Sequence, residues 1–262
     1  SNIDGATSVA YSIPSDQTLV DKYLRVQVIS TDSRGGTTTK FSTSQQVANV
    51  EDEATGDPII SGTVEEGRNV TAFVLGISDV DGPLTFAYQW QSSTDDSSFS
   101  NIDGATSVAY SIPSDQTLVD KYLRVQVIST DSRGGTTTKV SASQQVANVE
   151  DEATGDPIIS GTVEEGRNVT AFVSGITDED GPISFTYQWQ SSTDDSSFSN
   201  IDGATSVSYS IPSDQTLVDK YLRVQVISTD SRGGTTTKFS ASQQVANVED
   251  EATGDPIISG TV

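Results

Sequence analysis

The sequence predicts an all-β chain of tandem seven-stranded β-sandwich domains in a linear array, and three observations lead there. The segment SNIDGATS begins at Ser1, Ser100 and Ser199, a repeat of 99 residues. That is the size of one independently folding domain and longer than a solenoid unit. Residues 57–148 carry period-2 apolar runs separated by turn residues, with no helical periodicity. The chain has no Cys, so stability must come from a core or from bound ions rather than from disulfides.

The repeat divides the chain into the C-terminal part of one unit at 1–49, expected to hold its fourth to seventh strands, complete units at 50–148 and 149–247, and a linker with a first strand at 248–262. The natural polypeptide is expected to continue in both directions. The two complete units differ at only eight positions: Leu75/Ser174, Ser78/Thr177, Val80/Glu179, Leu84/Ile183, Thr85/Ser184, Ala87/Thr186, Ala109/Ser208 and Val140/Phe239.

Within residues 57–148 each strand has its own signature. The first is predicted over Ile59–Val64 and the second over Asn69–Ile77. The third holds Phe86, Tyr88 and Trp90 on one face and Ala87, Gln89 and Gln91 on the other. A short fourth strand lies near Phe99–Ile102, before the Asp103-Gly104 turn, and a fifth covers Ser107–Ile112. The sixth turns Leu123, Val125 and Val127 inward and Arg124 and Gln126 outward. The seventh follows the Gly134-Gly135 turn, from about Thr136 to Val146. Trp90 reads as a core anchor between two sheets rather than a sugar-stacking platform. Seven antiparallel strands put the termini at opposite poles, so copies can string end to end, each adding about 40 Å.

Net charge is −23, and within residues 50–148 fourteen acidic side chains face five basic ones. Nucleic acid and anionic membranes reward basic patches, so neither is an expected partner. No stretch has the length and apolarity of a membrane span. No Gly-rich phosphate loop or nucleophile–base set is present, and an active site duplicated in every near-identical copy is improbable. The chain is read as not an enzyme.

The topology gathers the carboxylates at the junctions between units. The turn with Glu65 and Glu66 and the loop with Asp115 fall at the pole from which the linker Asn148-Val149-Glu150-Asp151-Glu152 departs. The following unit presents there the loops holding Asp178 with Asp180, and Asp230. One period earlier the set is Asp16, Asn49, Glu51, Asp52, Glu53, Asp79, Asp81 and Asp131; one period later it is Glu164, Glu165, Asp214, Asn247, Glu249, Asp250 and Glu251. Carboxylates this crowded repel unless a cation neutralises them. Calcium takes six to eight oxygens, and the absence of His and Cys removes the usual zinc and copper donors. Magnesium prefers stricter octahedral sites and ranks second. The oxygens suffice for about two or three ions per junction. By contrast, Asp95, Asp96, Asp103 and Asp120 sit in loops that ordinary turn capping explains.

These segments resemble the cadherin-like and Ig-like repeats of bacterial RTX adhesins. The likeness spans the 99-residue unit: the linker Asn-Val-Glu-Asp-Glu-Ala-Thr-Gly (148–155), Ile-Ser-Gly-Thr-Val-Glu-Glu-Gly (159–166), Asp-Glu-Asp-Gly-Pro (178–182), Tyr-Gln-Trp-Gln (187–190) and the run from Tyr221 to Gly234. The linker here reads Asp-Glu-Ala-Thr where the family usually has Asn-Asp-Ala-Pro, and the acidic pair after the fifth strand is reduced to Asp115-Gln116. The resemblance implies an Ig-like (cadherin-like) Greek-key sandwich. It also implies a monomeric, calcium-stiffened extender of a type I-secreted adhesin, projecting a terminal binding domain from the bacterial surface. Its partners would be calcium and the neighbouring repeats of the same chain. The alternative is that each repeat is itself a carbohydrate- or partner-binding module acting by avidity.

Overall fold

A computed structural model describes residues 1–249 together with Gly254 and Ser259. The expected first strand of a further repeat, and with it Asp250 and Glu251, lie outside the described residues. The chain forms two compact units, Ser1–Asn148 and another beginning at Val149. Among the described residues the regular structure is entirely β.

The first unit opens with β1 (Tyr23–Leu24), β2 (Gln27–Thr31), β3 (Thr37–Phe41) and β4 (Gln45–Gln46), paired β1–β4 and β2–β3. A sandwich follows from β5 (Ile59–Ser61), β6 (Asn69–Phe73), β7 (Thr85–Ser93), β8 (Ser100–Asn101), β9 (Ala109–Ser111), β10 (Tyr122–Thr130), β11 (Thr136–Val140) and β12 (Gln144–Gln145). One sheet has the order β5-β6-β9. The other runs β11-β10-β7-β8, with β12 continuing on β10. The second unit repeats this with β13 (Ile158–Ser160), β14 (Asn168–Phe172), β15 (Ser184–Ser192), β16 (Ser199–Asn200), β17 (Ser208–Ser210), β18 (Tyr221–Thr229), β19 (Thr235–Phe239) and β20 (Gln243–Gln244). The connections β6–β7, β8–β9 and β9–β10 cross from sheet to sheet, as in an Ig-like Greek-key sandwich.

Alternation sets the core. Val70, Trp90, Leu123, Val125, Val127 and Val146 are almost wholly excluded from solvent, and Phe86 and Tyr88 pack against them. Trp90 stacks on Tyr110, with ring centroids 5.7 Å apart, and donates its indole N–H to the Ser107 carbonyl at 3.0 Å. Its role is the core anchor, and it offers no exposed face to a sugar.

Several strands are shorter than expected: the second ends at Phe73 and the fifth covers only Ala109–Ser111, and for the first and last strands the physical reason is visible. The strand expected over Ile59–Val64 leaves the ladder after Ser61. Its continuation joins the other edge, where Ala147 N–H donates to Val64 O (3.0 Å) and Glu65 forms a parallel bridge to Ala147. The last strand is broken between β11 and β12. Gln126 pairs with Val140 and Leu123 with Gln144, so four steps on one strand oppose three on the other, which is a bulge. Ser141 fills the gap: its N–H donates to Val125 O, and its hydroxyl accepts from Val125 N–H.

The linker is part of the sandwich that follows it. Thr55 and Ser78 exchange backbone hydrogen bonds of 2.8 and 3.1 Å, and the N–H of buried Ala54 donates to Thr137 Oγ1 at 2.9 Å. Ala153 and Thr236 repeat the contact at 2.9 Å.

Candidate metal centre

At the linker end of the first sandwich three carboxylates converge. Glu51 comes from the linker, Asp81 from the β6–β7 loop and Asp131 from the β10–β11 loop, and each offers an oxygen within 4.8 Å of the other two. Glu150, Asp180 and Asp230 form the same group in the second unit. The loops are built to hold them. Asp131 Oδ1 accepts from the N–H groups of Arg133, Gly134 and Gly135, which aims Oδ2 back at the linker. Asp79 caps its own turn by accepting from Asp81 N–H at 2.8 Å. Asp81 Oδ2 accepts from Asp52 N–H at 3.1 Å, and Ser132 Oγ donates to the Asp81 carbonyl, tying the two loops together.

After these bonds, Asp81 Oδ1 and Asp131 Oδ2 remain buried without a hydrogen-bond partner, as does Asp230 Oδ2 in the second unit. Asp81 and Asp131 are only 4% and 7% exposed, so bulk solvent scarcely reaches them. The nearest cation is the Arg133 guanidinium, whose Nε stands 4.0 Å from Asp81 Oδ1 and whose Nη1 is engaged by Asp21 at 2.9 Å. Desolvation, and then the neighbouring carboxylates of Asp131, Asp81 and Asp79, push the Glu51 carboxyl above its ordinary value. At Asp131 desolvation acts upward too, but the three loop N–H groups, together with the adjacent Glu51 carboxyl, outweigh it and hold the group low. Glu150 and Asp230 shift in the same directions. A cluster of hard oxygen donors with excess negative charge and bare lone pairs can hold a divalent cation. The donor set contains no imidazole or thiolate.

A family model described as Domain of unknown function (DUF8696) matches residues 58–149 and again 157–248. The chain belongs to the DUF8696 family. No curated protein matches the sequence. Among solved structures, DUF8696 repeats are similar to a Ca2+-stabilised adhesin with which an Antarctic bacterium binds ice, at 13% identity over 85% of this chain and 56% of that one, TM-score 0.35. They are also similar to a bacterial ice-binding adhesin studied for host cell surface retention, at 15% identity over 87% and 76%, TM-score 0.30. A third is a tetra-tandem repeat from the extending region of a large adhesion protein, at 18% identity over 87% and 57%, TM-score 0.28. The chain thus spans little more than half of the first and third of these.

The other acidic positions singled out in the DUF8696 sequence fall into separate environments. Asp16, Asp115 and Asp214 each fold back on the N–H and hydroxyl of the Thr two residues on. Glu65 and Glu164 pair with Arg68 and Arg167 at 3.3 and 3.2 Å. Glu53, Glu152, Asn247 and Glu249 are exposed, while Asp178 accepts from Asp180 N–H and Asp151 N–H donates to Asp180 Oδ2. Buried Glu66 accepts at both oxygens from Gln116 Nε2 (3.3 Å each), which also donates to Asn148 Oδ1 at 2.8 Å. Its counterpart Glu165 accepts from Gln215 Nε2 and Val248 N–H, both at 2.7 Å. Asn49 Oδ1 and Gln17 Oε1 are buried without a partner in the first unit. Sequence reasoning passed over Gly135, Thr137 and Ser132. The Gly-Gly pair reads from sequence only as a turn, and nothing in the local sequence marks the threonine or the serine.

Proposed function

We propose that the chain is a non-enzymatic spacer from a large bacterial surface adhesin, stiffened by calcium held where each linker meets the repeat that follows it. The observation that carries this is the pair of buried carboxylate oxygens without a hydrogen-bond partner, Asp81 Oδ1 and Asp131 Oδ2, set beside the Glu51 carboxylate. A divalent cation offsets that repulsion and accepts those lone pairs at once. Glu51, Asp81 and Asp131 would hold it in the first unit, and Glu150, Asp180 and Asp230 in the second. Asp79, Asp52 and Asn49, and in the second unit Asp178 and Asp151, lie on the same loops as further oxygen donors.

Stiffening follows from where the ion would act. Hydrogen bonds fasten the linker from Asp52 onward. The ion would extend that hold to Glu51, one residue nearer the preceding repeat, and shorten the segment free to pivot. The resemblance to RTX adhesins supplies the remaining context: type I secretion, an extracellular place on the cell surface, a monomeric chain and a terminal binding domain elsewhere in the protein.

Small-angle scattering with calcium and then with chelator tests the proposal. Chelation is expected to broaden the end-to-end distance distribution. An identical profile in both conditions sinks the stiffening role.

A further inference from the structure

The second glycine of each Gly-Gly turn has no conformational reason to be glycine. Gly134 takes a left-handed φ of +97°, which L side chains rarely adopt, whereas Gly135 has no such φ. Space is what constrains it. A Cβ built on Gly135 would lie 1.4 Å from Glu51 Oε1 and 2.3 Å from Asp131 Oδ2; on Gly234 it would lie 1.4 Å from Glu150 Oε1 and 2.3 Å from Asp230 Oδ2. At Gly36 the nearest atom is Asp32 Oδ2, at 2.6 Å.

We propose that Gly135 and Gly234 are positioning residues of the ion site: their bare Cα is the seat on which the linker glutamate places its carboxylate. The proposal rests on the calcium reading above. The two clashing atoms are not equally movable. Asp131 is pinned through Oδ1 by three backbone N–H groups, whereas Glu51 is held at its present place by the adjacent Asp131 carboxyl rather than by the backbone, so the glutamate is the group that yields. An alanine would leave the sandwich folded and turn a three-carboxylate site into a two-carboxylate one. Ligand charge count is a main determinant of calcium affinity.

The test uses the full chain carrying G135A with G234A, titrated with CaCl2 by calorimetry and melted in chelator. The expected result is calcium affinity weaker by about tenfold or more, with a chelator melt within a degree or two of a chain carrying E51A with E150A. Shortening the arm in the same background (E51D with E150D) is expected to recover part of the binding, because the oxygen is withdrawn from the new methyl. Wild-type affinity in the alanine chain overturns the proposal. So does a melt that falls equally when the alanines are added to the E51A/E150A chain, because the glycines then serve the fold. A wild-type chain that binds no calcium overturns the reading beneath it instead, and the two failures are distinguishable.

Discussion

Two aspartates in one sandwich make nearly the same turn and do different things. Asp95, in the loop after β7, accepts at Oδ1 from the N–H groups of Ser97 and Ser98 and from the Ser93 hydroxyl. Asp131, in the loop after β10, accepts at Oδ1 from three successive N–H groups. Both carboxyls are held below their ordinary value by such donors, against a desolvation that is the smallest cause at Asp95 and the largest at Asp131. The difference lies in the second oxygen. Asp95 occupies an exposed loop, whereas Asp131 Oδ2 is buried, unpaired and set beside Glu51 and Asp81. Capping a turn and offering a metal ligand are therefore compatible, because a carboxylate has two oxygens to divide between them.

The largest effect expected of this difference is on the whole-chain melt. An ion bound only by the folded state at about a hundred times its dissociation constant adds about 2.7 kcal/mol. In a domain of this size that raises the melting temperature by about 10–20 °C. Calorimetric scans in millimolar CaCl2 and in chelator measure it, and superimposable scans break the distinction between the loops. Next, D131N with D230N is expected to remove most of that calcium-dependent rise. D95A with D194A should lower both scans by a few degrees and leave the rise intact. A rise lost equally in both pairs would mean that the acidity acts as a diffuse field.

A smaller effect separates the ion from the hydrogen bonds that already hold the linker. T137A with T236A leaves the buried N–H of Ala54 and Ala153 without acceptors, at a cost of about 1–3 kcal/mol per repeat. The cost is expected with and without calcium. Faster amide exchange at Ala54 and Ala153 locates it, and unchanged protection there refutes it. The smallest effect is that of pH on the Asp95 loop. Its folded carboxyl lies below the ordinary value, so the anion favours the fold, and that contribution is complete above about pH 5. It is lost as pH falls toward the folded value. In chelator, the gap between the wild-type chain and D95A/D194A should narrow from about pH 5 to about pH 2. A gap that widens on acidification contradicts the assigned donors.

Strand positions were legible because burial of one face imposes a period of two, which Leu123, Val125 and Val127 display without ambiguity. The bulge at Ser141 and the transfer of Val64 to the far edge were not. Each depends on which residue of a distant strand stands opposite, and that register is absent from the local pattern. The acidic loops could be assigned to one pole by counting strands. Counting could not say that Asp115 would turn onto Thr117 and Glu65 onto Arg68, or that Gly135 would clear a seat for Glu51.

The sequence by itself determined the repeat, the all-β sandwich, the oxygen-only donor chemistry and the strong negative charge, because each follows from residue type and spacing alone. Only the tertiary structure decided which carboxylate oxygens are already satisfied and which are left bare. Hydrogen-bond satisfaction is a property of atoms brought together from positions as distant in the chain as Glu51 and Asp131, and it exists only once they meet.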